Sequence, residues 1–392
     1  MIEPLPTQEV PKQSVSVVGI ASRCAPYKRQ PNELEAIAHR HYSSTPALEK
    51  TLEINRKTRI DHRYSVFSPD HEYWHRPTIP SFSECDSLFK EHGIPLAAEA
   101  SAKAMQDWGG ASNEITHLVA VTCTNTAHPG FDSMLCRKLG LKPNVRRVLL
   151  HGIGCGCGIA AMRVAHELLL GSMQQGVPAR ALVVGCEVPT VFARSELDII
   201  DKSQEVNVAM CLFSDCAAAL VLSNGIGRKA SERLPIWNIL NCEPTQFEGT
   251  EDIAYFDVHD KGYHAYIDKR IPELAGKCIP EGFRSLIAST PPLALDEKNY
   301  VPSNHGWAIH PGGYAVLVAA QKTLGLTADD LRASYDAYHD GGNTISTSII
   351  RILEKLRNDD QKDKLVLAAI GHGITLETAV LTRPSFPRCL NA

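Results

Sequence analysis

The sequence predicts an α/β protein built from two similar halves, and three observations support this. Short apolar runs alternate with helix-type segments along the whole chain. Each half contains a glycine-bearing turn that feeds a helix, Gly152–Gly158 in the first and Pro311–Gly313 in the second. A length of 392 residues also exceeds what one ordinary core accommodates. Two such halves would pack face to face as layered sheets and helices.

Taken in order, residues 1–13 carry prolines and acids and read as a loose arm. Ser14–Ala21 alternates and is rich in valine, a first strand. Pro31–Tyr42 reads as a helix. Pro46–Tyr64 has a partial apolar face of Leu48, Leu52 and Ile54 among Lys50, Arg56, Lys57, Arg59 and Arg63. It is either a solvated helix face or a landing strip for a phosphate group. Thr78–Asp86 is expected to be a loop and Ile94–Trp108 an alanine-rich helix. Ile115–Thr122 is a strand ending in Cys123, Thr124, Asn125 and Thr126, and polar strand ends are where α/β enzymes place sites. A turn at Pro129-Gly130 precedes a short helix, Phe131–Leu139. Val148–Leu150 then leads through the glycine turn into a helix from Ile159 to Leu170. Ala181–Cys186 is a buried strand closing at Glu187, and Val208–Leu222 passes from loop to strand around Ser214-Asp215.

Ser223–Arg233 reads as a connection, which divides the chain into residues 1–225 and 226–392. The second half opens with a strand, Ile236–Cys242, followed by His259–Ile267 with Tyr263, His264 and Tyr266. Glu281–Ala288 is helical, Asn304–His310 is a strand, and Tyr314–Leu324 is a helix. Tyr335–Asn343 is expected to be a loop and Thr344–Arg357 a helix. Leu365–Ile370 and Ile374–Leu381 form a last hairpin around Gly371-His372-Gly373.

Lys plus Arg number 40 against 44 Asp plus Glu, a net charge of −4, which makes no case for general nucleic-acid or membrane attraction. The 12 cysteines lack framework spacing, the N-terminal stretch has no apolar signal core, and no apolar run approaches a membrane span. Reduced thiols in a cytoplasmic protein are therefore expected. Cys155-x-Cys157 and the Cys211, Cys216 pair lack the partners of a zinc site, so no metal is expected.

Three polar residues stand out. Cys155 sits at a strand–helix elbow, where the helix N-terminus favours a thiolate and its pKa is expected below the free value of about 8.5. Cys157, further into the helix, is the weaker candidate. His310 ends a strand before Pro-Gly-Gly, and Asn343 follows Gly341-Gly342. Singly they read equally as a small buried hydrophobe, a structural histidine and a helix N-cap. Together they supply a nucleophile, a base and an amide donor. That set suits acyl transfer to a thiol followed by carbon–carbon bond formation through a stabilised enolate.

With these motifs in view, the sequence resembles the type III polyketide synthases, the chalcone and stilbene synthase superfamily. The matches are the cysteine elbow Gly154–Gly158, His310-Pro311-Gly312-Gly313, Leu212-Phe213-Ser214-Asp215, and Gly371–Glu377. Gly342–Ser346 also matches, with one extra residue before the serine. The resemblance spans about residues 14–385 and implies a thiolase-like fold, an αβαβα layered sandwich. It implies that Cys155 takes an acyl group from a CoA thioester, and that His310 and Asn343 promote malonyl-CoA decarboxylation. Phe213 would orient substrate at the mouth of the CoA tunnel, with Gly312 beside the histidine. Lys50 and Lys57 match residues that hold CoA phosphates. Glu53 replaces the usual arginine, so Arg56 is expected to substitute.

Departures from the plant pattern include Ala265 at a second gate position, His372 in place of proline, and Cys123-Thr124 in place of Thr-Ser. A smaller gate makes room for an alkyl chain, and His372 is either a hairpin-loop residue or a group that positions water or an enol for release. Leu52–Arg63 and Pro69–Pro77 are most similar to the fungal branch, which uses fatty acyl-CoA starters and makes alkyl pyrones, acyl-alkyl-pyrones, alkylresorcinols or alkylresorcylic acids. The resemblance implies acyl-CoA and malonyl-CoA as substrates, no metal or organic cofactor, and a homodimer with His128 near the shared wall. A ketoacyl synthase of the fatty-acid initiation type is less well matched, since that family reads His-Gln-Ala-Asn where this chain has His310-Pro311-Gly312-Gly313. A silent acyl-CoA-binding protein is disfavoured by the complete catalytic set, and a redox or zinc protein by the absence of a partner other than Cys157.

Overall fold

Side chains along the buried strands alternate between two apolar cores. In Arg180–Glu187, Leu182, Val184 and Cys186 face one core while Ala181 and Val183 face another. Lys364–Gly371 does the same, with Leu365, Leu367 and Ala369 on one side and Val366 and Ala368 on the other. Strands apolar on both faces must be covered on both faces, and three stacked cores therefore imply five layers.

The structure, a computed structural model, describes residues 14–384; the expected N-terminal arm and the C-terminal residues 385–392 lie outside that range. Its strands are β1 (Ser16–Cys24), β2 (Tyr27–Arg29), β3 (Arg63–Ser65), β4 (His117–Val121), β5 (Arg146–Leu150), β6 (Arg180–Glu187), β7 (Cys216–Ser223), β8 (Trp237–Gln246), β9 (Ala254–His259), β10 (Gly262–Ile267), β11 (Gly306–Ile309), β12 (Lys364–Gly371) and β13 (Thr375–Thr382). Its helices are α1 (Pro31–His41), α2 (Pro46–Lys57), α3 (Phe82–Leu88), α4 (Ile94–Trp108), α5 (Phe131–Leu139), α6 (Cys157–Gln174), α7 (Ala193–Ser203), α8 (Ile271–Ala288), α9 (Pro291–Ala294), α10 (Tyr314–Leu324), α11 (Arg332–His339) and α12 (Ser348–Lys355).

Nine strands run in the order β11-β12-β13-β8-β1-β7-β6-β4-β5. β1 meets β8 only through Ser16 and Val17, so the array divides into a five-stranded and a four-stranded sheet. Helices α6 and α12 lie between the sheets, α4 covers the outer face of the first, and α8 with α10 covers the outer face of the second. This is the thiolase-like α/β sandwich that the resemblance implied.

Several elements depart from the sequence expectation. Thr78–Asp86 is not all loop: the Ser81 hydroxyl accepts from Glu84 N and starts α3 at Phe82. Tyr335–Asn343 begins as helix α11, because Leu331, Ala337 and Tyr338 are buried although the surrounding residues are polar. Helix α8 starts ten residues before the expected Glu281 and runs through Pro280. Burial of Cys278, Ile279, Phe283, Leu286 and Ile287 offsets the lost hydrogen bond there. The stretch Pro46–Tyr64 is helical only to Lys57. Arg63–Ser65 is instead paired with Tyr27–Arg29.

Candidate active site

The elbow after β5 is a single 3₁₀ turn, Gly154–Gly156, leading into α6. Gly154 has φ +68°, and a Cβ there would lie 2.7 Å from the His372 ring. Only glycine holds this turn without strain or collision. Cys155, at its centre, is buried beside Cys123 and Ile345, with Phe213 and Phe256 packed against them. Cys157 points into the core between the sheets and is fully buried.

Asn343 reaches Cys155 from the second half. Its N–H donates to Leu212 O at 2.9 Å and its carbonyl accepts from Ser214 N at 3.0 Å, a parallel bridge that sets it beside Phe213. Its Oδ1 accepts from Ile345 N at 2.8 Å, which leaves Nδ2 to donate toward Cys155 Sγ at 3.8 Å. Ile345, within the one-residue extension, takes φ +53°. A β-branched residue in that region holds about 1–3 kcal/mol of strain, the kind stored at functional sites.

His310 follows β11, with its N–H on Ala368 O at 2.9 Å. Its ring is buried and neither ring nitrogen has a hydrogen-bond partner. Burial pushes the imidazole down to about 3. The expectation of a depressed Cys155 pKa is overturned: burial pushes the thiol up to about 12, outweighing the Asn343 hydrogen bond that favours thiolate. The helix start is present, but the surrounding wall is apolar and the neighbouring imidazole is neutral, so desolvation wins. Burial therefore disfavours charge on both groups.

Cys155, His310 and Asn343 all line one cavity of about 560 Å³, with Phe213, Gly312 and His372 also in its wall. Beyond Phe213 lies a second cavity of about 780 Å³, lined by Thr124, Ala265, Phe256 and Trp74 among others. A third space, open toward the surface, is bounded by Cys123, Phe256, Tyr263 and His372. Phe256 lines both the second and the third space, 5.9 Å from the Phe213 ring centroid and 4.6 Å from that of His372, the two residues that border the first. It pairs across β9 and β10 with Ala265, so an aromatic ring stands beside the position expected to be a second gate. Sequence reasoning missed Phe256; an aromatic opposite Ala265 in a hairpin was the available signal. His372 is anchored by its N–H on Ile153 O at 3.0 Å, and burial pushes its ring down to about 4.

Thr124 is buried and accepts from Val188 N at 3.0 Å while donating to Glu187 Oε2 at 3.3 Å. Glu187 also accepts from Cys123 N and Ser346 Oγ, yet burial still pushes its carboxyl up to about 7. The expected phosphate-binding cations are exposed on α2 and already paired. Lys50 and Lys57 share Glu53 at 2.8 and 2.5 Å, and Arg56 pairs with Glu35. His128 is exposed. Among the described residues no group of three or more His, Cys, Asp or Glu could hold a metal, and no helix is long and apolar enough to cross a membrane.

A thiol, an imidazole and a primary amide drawn from both sheets onto one enclosed space are what a thiolase-type condensing acyltransferase requires. The chain belongs to the chalcone and stilbene synthase family, the type III polyketide synthases. Residues 32–225 match the family's N-terminal domain and residues 247–384 its C-terminal domain. It is 83% identical over 397 residues to the acylalkylpyrone synthase csyB of Aspergillus oryzae, covering 100% of both chains. It is 34% identical over 387 residues to the type III polyketide synthase pspB of Penicillium soppii, covering 95% of this chain and 97% of that one. The crystal structure of CsyB complexed with CoA-SH superposes with a TM-score of 0.94 at 84% identity, over 95% of this chain and 100% of that one. A type III pentaketide synthase from Neurospora crassa gives 0.91 at 38% identity, over 94% and 100%.

Proposed function

We propose that this enzyme loads a long-chain fatty acyl group from its CoA thioester onto Cys155, extends it with malonyl-CoA and releases a cyclised alkyl α-pyrone. As the name of csyB suggests, that product could carry a second acyl unit as an acyl-alkyl-pyrone. In loading, Sγ attacks the thioester carbonyl, its proton passes to His310, and CoA leaves as the thiol with that proton. Asn343 Nδ2–H and a ring N–H of His310 donate to the oxyanion that forms. Malonyl-CoA then loses CO₂, and the electron pair left behind becomes a thioester enolate whose oxygen takes the same two donors. The enolate carbon attacks the Cys155-bound acyl carbonyl and expels sulfur. After the chain is reloaded and extended a second time, the enol oxygen on the fifth carbon attacks the terminal thioester carbonyl, closing the six-membered ring and expelling CoA as its thiol with the enol proton. Decarboxylation supplies the carbon nucleophile, so this chemistry calls on no cofactor beyond CoA thioesters.

The apolar space beyond Phe213, bordered by Ala265 and Thr124, suits the alkyl tail. His372 is suited to hold a water or enol during release, and His372→Ala leaving the product profile untouched would remove that role. Lys50, Arg56 and Lys57 would meet the CoA phosphates outside the cavity, once released from Glu53 and Glu35. The working unit is a homodimer whose subunits each divide near residue 225, with His128 at the shared wall; light scattering tests the dimer. The observation that carries the reading is Cys155, His310 and Asn343 lining one buried cavity, with the amide 3.8 Å from the sulfur. Incubation with decanoyl-CoA should add a decanoyl mass to Cys155, and malonyl-CoA should convert it to a pyrone. Absence of the adduct would refute it.

A further inference from the structure

The cavity beyond Phe213 is apolar over most of its wall but cationic at one place. Arg29 and Arg63 stand directly opposite each other across the β2–β3 ladder, and both line it. Both are buried, with 9% and 8% of their surface exposed. Arg63 spends Nη1 on the carbonyl of Cys211 at 2.7 Å. The Arg29 guanidinium lies 3.9 Å over the Trp74 ring, and its Nη2 is 3.2 Å from Glu33 Oε2. Its Nη1 is buried and has no partner. Glu196, the acid in this wall, is engaged elsewhere: one oxygen takes Ala265 N at 2.8 Å, and the other takes Asn207 Nδ2 and His264 Nδ1.

A purely aliphatic tail filling this space would leave the Arg29 N–H dry and unsatisfied, which is unfavourable for a buried charged donor. A carboxylate would satisfy it, and a planar guanidinium is the side chain best shaped to take one. We infer that this cavity holds an aliphatic chain bearing a carboxylate, which Arg29 reads and the charge of Arg63 supports. Two sources carry that chemistry. One is the far-end carboxylate of a dicarboxylic half-thioester loaded on Cys155; the other is a free fatty acid lying with its head group outward. The inference rests on this cavity being the starter's tail site.

The test compares decanoyl-CoA with sebacoyl-CoA, its ten-carbon ω-carboxy counterpart, as starters for malonyl-CoA extension. Free decanoate is added as a competitor. The wild type should extend both starters. Arg29→Met should lower the sebacoyl-to-decanoyl ratio of kcat/KM by about tenfold or more, since a site built to bond a polar group discriminates strongly by that bond. Arg29→Lys should restore part of the ratio. Competition by decanoate that weakens in Arg29→Met, without sebacoyl-CoA extension, assigns the site to a free fatty acid. A wild type that extends decanoyl-CoA, rejects sebacoyl-CoA and ignores decanoate overturns the inference, and needs no variant to do so. An unchanged ratio in a folded Arg29→Met overturns it as well. Failure to extend decanoyl-CoA would instead refute the proposed function.

Discussion

Replacing Gly158 by alanine would put a methyl group where the turn carrying Asn343 meets α6. A Cβ there would lie 2.2 Å from the carbonyl oxygen of Ser346 and 2.7 Å from Cγ2 of Ile349. Relieving the first contact takes about 1 Å of movement in a close-packed interior. Ser346 is joined to Asn343 through strained Ile345, so the movement reaches the amide that stands 3.8 Å from Cys155 Sγ. Overpacking of this kind costs about 1–3 kcal/mol, while replacing a helical glycine returns about 0.5–1 kcal/mol. The net is a loss of up to about 2.5 kcal/mol. A misplacement of about 1 Å in a reacting group lowers turnover about 10²-fold. The assay is malonyl-CoA decarboxylation with a thermal melt, run beside Gly171→Ala, whose site in the same helix is open to a methyl group. Gly171→Ala should keep full activity with an equal or higher Tm. Gly158→Ala should lose a few degrees and about two orders of magnitude in kcat/KM. Wild-type turnover in Gly158→Ala would refute the claim that this contact sets the amide's position.

Asn343→Ala removes the side-chain donor and leaves the backbone bonds to Leu212 and Ser214 intact. Decarboxylation should fall about 10²–10³-fold with an unchanged circular dichroism spectrum; a loss under about tenfold takes the amide out of the mechanism. His166, His305 and His310 are pushed by burial to about 4, 4 and 3. These lie below the unfolded value of about 6.5. Their contribution to stability is therefore complete above about pH 6.5 and is withdrawn as pH falls from there toward 4, at up to about 1.4 kcal/mol per pH unit for each. Urea unfolding of the wild type and of His305→Gln at pH 7.5 and 5.5 measures this, because the opposite drift from Glu187 and Asp215, both pushed up to about 7, cancels in the comparison; an identical pH response in the two proteins would contradict it. Glu53→Gln frees Lys50 and Lys57 and should lower KM for CoA thioesters a few-fold, whereas Lys50→Ala with Lys57→Ala should raise it. Unchanged KM values in both would exclude α2 from CoA binding.

Much of the fold was legible because strand and helix periodicity are local. Helices α4, α5 and α10 begin and end where the apolar pattern places them. Elements were misread where tertiary burial overrode local signals. Pro280 suggested a helix boundary that packing against the second sheet carries through. The polar residues of α11 hid a helix secured by buried Tyr338 and Ala337. The Arg29–Arg63 pair was invisible for another reason, and Phe256 was only hinted at by its hairpin: a role shared across a hairpin or ladder is fixed only when the register is known.

By itself, the sequence determined which candidate groups the site would hold. Cys155, His310 and Asn343 each sit in a short motif whose turn chemistry is encoded within a few residues, and covalent identity does not depend on folding. Tertiary structure alone decided their protonation and reach. The local reading of a helix start favoured a thiolate, but the ionisation of a group depends on everything around it. The apolar wall assembled from both halves pushes the thiol pKa up and the imidazole pKa down. Cavity boundaries were likewise set by residues distant in the chain, since enclosed volume is a property of packing between layers and no single segment carries it.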